Sequence, residues 1–248
     1  MDLRLPFSSE DVLRKTRNIL RIFIPLECPV CGNVPYDGTV NMLCRDCLAG
    51  IRFLHAPFCP SCGGEHSGIL AVCPDCLREG EKCWDGAYAA FAMTGFLQEL
   101  LHLCKYRNQP ELARVIGDLA FQTVRERLPR VDCIVPVPLH WRRFLRRGFN
   151  QAEWIAGRLS AGSGVPAENL LRRIRCTGQQ AKLGKKERIS NLSHAFFVPD
   201  SIKVKKRAIL LVDDVMTTGS TLSAAAKALK KAGAGPVYVF CAARRQRM

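Results

Sequence analysis

Long hydrophobic runs are missing from this sequence. Apolar stretches such as Ala208-Ile209-Leu210-Leu211-Val212 fall far short of the roughly 20 residues a membrane-spanning helix needs. No secretory leader is expected either: Arg4, Glu10, Asp11, Arg14 and Lys15 break up the first 24 residues, and no small-residue cleavage motif follows. The expected location is therefore the cytoplasm, with peripheral contact at the inner membrane left open. Acidic side chains are scarce, 22 against 37 Lys and Arg, which leaves a formal charge of +15. Such an excess attracts polyanions. A phosphate-rich ligand, single-stranded nucleic acid or an acidic membrane face each fits it, as does a solvated basic surface with no dedicated partner.

Against these shortages, 48% of the 248 residues are apolar, as expected of a packed globular chain with one core and a smaller satellite module. The organisation reads in three parts. Residues 1–24 hold an amphipathic helix over 9–24, capped by Ser9 and stopped by Pro25. Residues 25–82 are rich in cysteine, glycine and proline and too poor in apolar side chains for an ordinary core. Residues 83–248 alternate strand and helix patterns: strands over 85–92, 131–137, 207–212 and 237–242, and helices over 94–104, 112–128, 150–159 and 220–231. That alternation predicts an α/β fold with a mostly parallel sheet and helices on both faces, in which ligands bind beyond the carboxyl ends of the strands.

Eight of the 13 cysteines form four C-x2-C pairs separated by twelve, eleven and ten residues: Cys28 with Cys31, Cys44 with Cys47, Cys59 with Cys62, and Cys73 with Cys76. This is metal-ligand spacing rather than a disulfide framework. Cys28-Pro29-Val30-Cys31-Gly32 and Cys59-Pro60-Ser61-Cys62-Gly63 are near-copies, so a duplicated module with one tetrahedral zinc per half is expected, two structural ions in all. A cross-braced pairing and iron–sulfur ligation are the alternatives that spacing leaves open. Closed four-cysteine sites hold structure, so metal supplies the stability that residues 25–82 otherwise lack. The remaining cysteines, Cys83, Cys104, Cys133, Cys176 and Cys241, have no partner pattern that would make a nucleophile.

The most informative run is Leu211-Val212-Asp213-Asp214-Val215-Met216-Thr217-Thr218-Gly219-Ser220-Thr221. A strand runs into two acids and a hydroxyl-rich turn that opens a helix. Unpaired N–H groups at the helix start, with the hydroxyls of Thr217, Thr218, Ser220 and Thr221, can cradle a phosphate, and Gly219 permits close backbone approach. Asp213 and Asp214 are placed to bind ribose hydroxyls or to organise magnesium through water. The run has neither the G-x4-G-K-[ST] pattern of a P-loop nor the G-x-G-x2-G dinucleotide fingerprint.

The segment 213–221 resembles the phosphoribosyl-pyrophosphate motif of type I phosphoribosyltransferases. The chain from about Cys28 to Ala243 is similar to the ComF family, associated with natural competence and DNA uptake. The resemblance is carried by the cysteine pairs, Lys105-Tyr106-Arg107, Val135-Pro136-Val137-Pro138-Leu139, Arg147-Gly148-Phe149-Asn150-Gln151, and Thr177-Gly178-Gln179-Gln180 followed by Arg188 and Asn191. It implies a type I phosphoribosyltransferase-like domain behind a zinc-ribbon module. Phosphoribosyl pyrophosphate with magnesium is the implied ligand, held by Val137, Pro138, Asp213, Asp214 and 217–221. Asp213, Asp214, Lys105 and Arg147 are the implied catalytic set. Segment 175–188, with Lys182, Lys185 and Lys186, would be a closing loop.

In such a transferase magnesium bridges ribose hydroxyls and pyrophosphate, and a nitrogen nucleophile attacks C1 of the ribose. Here no acceptor site is readable. The rival expectation is a non-catalytic protein that handles single-stranded DNA or senses a nucleotide, with Trp141, Phe144 and Phe149 as stacking candidates. Partners from the competence machinery follow from the resemblance.

Overall fold

The computed structural model describes residues 27–28, 30–33, 43–106, 110–174 and 195–245. The helix expected over 9–24 and the closing loop expected over 175–188 lie outside these residues. The chain divides into two compact units, Met1–Gly50 and Ile51–Met248. The described part of the first includes a cysteine turn at 28 and 30–32 and the short helix α1 (Arg45–Ala49), which the Cys44 thiol caps by accepting from the Cys47 amide.

The second unit opens with helix α2 (Pro74–Glu79) and is built on strands β1 (Gly86–Ala92), β2 (Cys133–Pro136), β3 (Arg172–Arg173), β4 (Phe196–Phe197), β5 (Ile209–Met216) and β6 (Val237–Arg244). Four of them form a sheet in the order β1-β6-β5-β2, every pair parallel. β3 and β4 form a separate antiparallel ladder. The Ile209-Leu210-Leu211-Val212 run is buried throughout, as a strand covered on both faces must be.

Further helices are α3 (Gly95–Tyr106), α4 (Pro110–Val124), α5 (Trp141–Arg147), α6 (Gln151–Ser163) and α7 (Ser220–Lys231). α4 packs on β1 and on α6, and α6 packs on β2 and β5. Leu222, Ala225, Ala226 and Leu229 of α7 share a buried cluster with Ile209, Leu211, Val237 and Val239. Removing one such leucine costs about 2–5 kcal/mol. No helix among the described residues is long and apolar enough to cross a membrane.

Two departures from the sequence reading bear on function. The strand expected over 207–212 runs on to Met216, because β6 continues beside it: Asp213 pairs with Cys241, Val215 with Ala243 and Met216 with Arg244. β2 ends at Pro136, opposite Val212, so the two acids lie on a strand that has outrun one of its neighbours.

The second departure concerns the cysteine-rich segment expected over 25–82, whose latter half packs into the sheet's own core. Cys59, Cys62, Cys73 and Cys76 are buried in one cluster with Trp84, Ala87, Ala89, Val239 and Cys241. The Ala87 amide donates to Pro60 O (2.9 Å), Leu54 N to Ala90 O (3.0 Å) and Ala92 N to Arg52 O (2.9 Å). The outer edge of β1 is thereby covered, and edge pairing with another chain is blocked there.

Gly63 sets how closely the knuckle approaches β1. It has φ +71°, and a Cβ there would stand 2.7 Å from Ala89 N and from Tyr88 C. Its counterpart Gly32 has φ +77° with nothing near. Gly32→Ala is expected to cost only the conformational penalty of about 1–2 kcal/mol, whereas Gly63→Ala adds a backbone clash and costs a further 1–3 kcal/mol or so. Chemical denaturation of the two variants checks this. Equal losses would contradict the packing described.

Candidate functional site

The cysteines form two quartets, Cys28, Cys31, Cys44 and Cys47, and Cys59, Cys62, Cys73 and Cys76, each with its sulfur atoms within 4.8 Å of one another. The pairing is sequential; the cross-braced alternative is not what the structure shows. Cys62 and Cys73 sulfurs lie 3.8 Å apart and those of Cys31 and Cys44 3.4 Å. Tetrahedral zinc with bonds near 2.3 Å requires about 3.8 Å between sulfurs, so both quartets fit a structural zinc.

A backbone amide also reaches a sulfur across the second quartet, Cys73 N donating to Cys59 Sγ at 3.3 Å. Burial works to raise the Cys28 thiol, but amides of Cys44, Cys31 and Val30 overcome it and bring it down to about 7. Cys104, Cys133 and Cys241 are buried as core, and Cys83 is half-buried against it. Burial pushes Cys104 up to about 12 and Cys133 up to about 11, so neither is poised as a nucleophile.

At the carboxyl end of β5 the structure brings together the four implied catalytic groups. Lys105 Nζ, from the last turn of α3, lies 2.5 Å from Asp214 Oδ2, and the positive charge of Arg147, at the end of α5, also acts on Asp214. Asp213 Oδ1 accepts from the Asp214 amide at 2.9 Å. The two acids are set in opposite states. Burial and then the charge of Asp214 push Asp213 up to about 8. For Asp214 burial also opposes ionisation, but Lys105, Asp213 and Arg147 together leave it below the usual carboxylate range. Near neutral pH the pair holds one proton and one negative charge, the latter neutralised by Lys105.

Beyond β5 the chain turns into α7 through Gly219, which has φ +74° and no side-chain cap. The Thr218 hydroxyl lies 2.7 Å from that of Ser220 and accepts from the Ser220 amide at 3.4 Å. Thr217 and Thr218 are exposed, and Ser220 and Thr221 half-buried. The helix-start amides beyond Ser220, the hydroxyls of Thr217 and Thr218 and a helix of 12 residues could cradle an anion beside the acid pair. The acids fit a magnesium ion held through water once the pair gives up its shared proton; that ion would neutralise pyrophosphate oxygens.

Val137 and Pro138, expected to hold the ligand, lie in the loop after β2. Val137 is buried, its N–H donates to Val212 O (2.8 Å), and its carbonyl accepts from Asn150 Nδ2 (3.0 Å). It fixes the loop rather than offering a donor, and Pro138 has no N–H to offer. Asn150 also caps α6, its side chain accepting from the Ala152 amide.

Helix α5 was not read from the sequence, because its apolar side chains do not face the core. Trp141 is 58% exposed, Phe144 45% and Leu145 74%. Phe149 is buried, which removes it as a stacking candidate. His140 caps α5, accepting from the Arg142 amide. Burial and then Arg173, Arg142 and Arg143 hold its pKa down, in keeping with that acceptor role. Sequence reasoning also missed Arg244 and Trp84, both buried. The one available signal was that Arg244, the first of the Arg244-Arg245 pair, closes an otherwise largely apolar strand.

A double zinc ribbon domain family matches residues 19–77, and a phosphoribosyl transferase domain family matches residues 104–247. The chain is 34% identical over 215 residues to Competence protein F of Haemophilus influenzae, covering 82% of this chain and 91% of that one. It is 32% identical over 210 residues to DNA utilization protein YhgH of Escherichia coli K12, covering 82% and 90%, and 29% identical over 198 residues to Competence protein ComFC of Bacillus subtilis, covering 77% and 79%. A phosphoribosyltransferase from Corynebacterium diphtheriae superposes on 58% of this chain and 69% of that one at 22% identity and a TM-score of 0.35, too distant to add to the family match.

Because Asp213 holds its proton more tightly folded than unfolded, the folded state loses stability as pH rises from about 4 to about 8. Asp213→Asn removes this dependence. The variant's advantage in Tm, measured without magnesium, is expected to be absent near pH 4, to grow through neutral pH and to level off above about pH 8. Parallel Tm curves for the two proteins would refute the assignment.

Proposed function

Because the chain belongs to the ComF family, we propose that it is a competence-type DNA-handling protein whose phosphoribosyltransferase-like domain binds a phosphorylated ribose, sensed rather than consumed. The ligand is phosphoribosyl pyrophosphate with magnesium, or the phosphoribosyl group of a nucleotide. Relatives bear the names Competence protein F, DNA utilization protein YhgH and Competence protein ComFC. Their names support the DNA side of this reading. The ligand side rests on the cradle at 217–221 and the acid pair beside it.

One observation supports the joint reading: helix α5 carries residues expected at both sites. Its outer face presents exposed Trp141 and Phe144 with Arg142 beside them, Arg142 stacking 5.3 Å from the Trp141 ring centre. Its last residue, Arg147, acts on Asp214. Arginine beside exposed aromatic rings suits single-stranded nucleic acid, whose bases stack on the rings while phosphates meet the cations. A ligand in the cradle and a strand on the outer face would then touch opposite ends of one short helix.

The second reading, a transferase, is favoured by the Lys105–Asp214 contact. In that reading Lys105 leaves Asp214 to meet the departing pyrophosphate, and the freed carboxylates stabilise positive charge on the ribose ring. Pyrophosphate release that depends on a particular small acceptor would replace the sensing reading with this one.

Fluorescence anisotropy with labelled single-stranded DNA tests the DNA claim. Affinity is expected to fall steeply with salt, and Trp141→Ala with Phe144→Ala to weaken binding by about 1–3 kcal/mol per ring while zinc content is unchanged. An unaffected double variant, or no salt-dependent binding by the wild type, would defeat the proposal.

A further inference from the structure

Trp84 is 7% exposed and stands between the second cysteine knuckle and the turn that opens α7. Its indole Nε1 donates to Ser61 O at 2.9 Å. Ser61 lies inside the Cys59–Cys62 turn, whose own bonds hold that carbonyl in place: Gly63 N donates to Cys59 O and Cys59 N to Gly64 O, each at 2.7 Å. The neighbouring Pro60 O accepts from Ala87 N of β1 at 2.9 Å. Lys82, paired with Glu79 of α2 at 2.8 Å, sets its ammonium 5.9 Å from the Trp84 ring centre, within reach of the ring's attraction for a cation.

The other end of the indole meets Gly219. A Cβ at Gly219 would stand 2.9 Å from Trp84 Cη2, the outermost carbon of the ring, with Met216 Sδ next at 3.7 Å. Two constraints therefore coincide on this residue. Its φ of +74° favours glycine, and the indole leaves no room for a side chain. No side chain caps the turn, so a rigid, packed ring is what stops the backbone from sinking inward.

A second contact lies alongside. Cys83 Sγ donates to Ser223 O at 3.3 Å and stands 3.1 Å from Ser223 Oγ, in the first turns of α7. Trp84, Met216 and Leu222 belong to one buried cluster, so the floor beneath the turn is continuous from the knuckle to the helix.

We propose that Trp84 is a positioning residue for the anion cradle: hung from the Ser61 carbonyl, its indole is the wall against which Gly219 rests, and it sets where the amides beyond Ser220 stand. The consequence for binding rests on the ligand reading above, but the seating of Gly219 does not.

Hydrogen exchange on the full zinc-loaded chain, with no ligand, reads the seating at residues 223–226, where the Ser223 amide donates to Gly219 O at 2.8 Å. Trp84→Phe removes both the Nε1 donor and the outermost ring carbon, and is expected to speed exchange there by about 3- to 10-fold, with α4 and α6 unchanged. Gly219→Ala drives a methyl into that same carbon and should speed it by about 10-fold or more. Combined, the two effects should not multiply. Phenylalanine leaves room for the methyl, so Gly219→Ala is expected to act at least about threefold more weakly in the Trp84→Phe background. A ring that merely fills the core would give multiplying effects. Zinc content should stay at the wild-type value in Trp84→Phe, which separates loss of the wall from loss of the ribbon. Trp84→benzothienylalanine keeps the ring's size and lacks the N–H, so it decides the matter if Trp84→Phe fails to fold: exchange at 223–226 should again rise by about 3- to 10-fold.

Unchanged exchange at 223–226 in these Trp84 variants overturns the proposal, as do single effects that simply multiply in the double variant. Calorimetry with ribose 5-phosphate separates the two layers. Its affinity is expected to fall by about 3- to 10-fold in Trp84→Phe, the loss of a preorganised turn, and equal affinity would remove Trp84 from the cradle. If the wild type does not bind it, the ligand reading fails while exchange still decides the seating.

Discussion

Two carboxylates side by side at the end of a buried strand repel each other, and the arrangement around them answers that repulsion. Asp213 keeps a proton, while Asp214 is ionised against Lys105 with Arg147 near by. Those cations come from the last turns of α3 and α5, where a positive side chain also favours the helix dipole. Four elements therefore converge on one point: β5 with the acids, α3 with Lys105, α5 with Arg147, and α7 with its open amides. A site of this kind costs stability and holds charge ready to be redistributed, which is the property expected of a place where a phosphate and a cation arrive together.

The zinc ribbons differ in their relation to this site. The first lies in its own unit. The second is part of the sheet's core: it covers the free edge of β1, and its cysteines are buried among β1 and β6 side chains. A four-cysteine site is usually read as a device for stabilising a module too small to fold alone. Here the second site also borders Trp84, whose indole reaches from Ser61 to the glycine that opens α7.

Much of this was legible in the sequence, for definite reasons. Helix α7 forms over the span its pattern predicts, because a glycine and small hydroxyl residues open it and Lys230 and Lys231 close it before a glycine turn. The quartets were legible from spacing, since ligand identity is local. The extension of β5 through Asp213 and Asp214 was not: acids are poor strand formers, and only the length of β6 beside them keeps the ladder going. Helix α5 escaped because its apolar face is turned to solvent.

The central claim is that the end of β5 and the start of α7 form one site for a phosphorylated ribose. A calorimetric titration of the zinc-replete protein with phosphoribosyl pyrophosphate and magnesium, beside a folded Asp213→Ala, Asp214→Ala double variant, tests it most directly. The account predicts saturable, magnesium-dependent binding by the wild type that the double variant lacks. Equal binding by both proteins, or none by either, would contradict it.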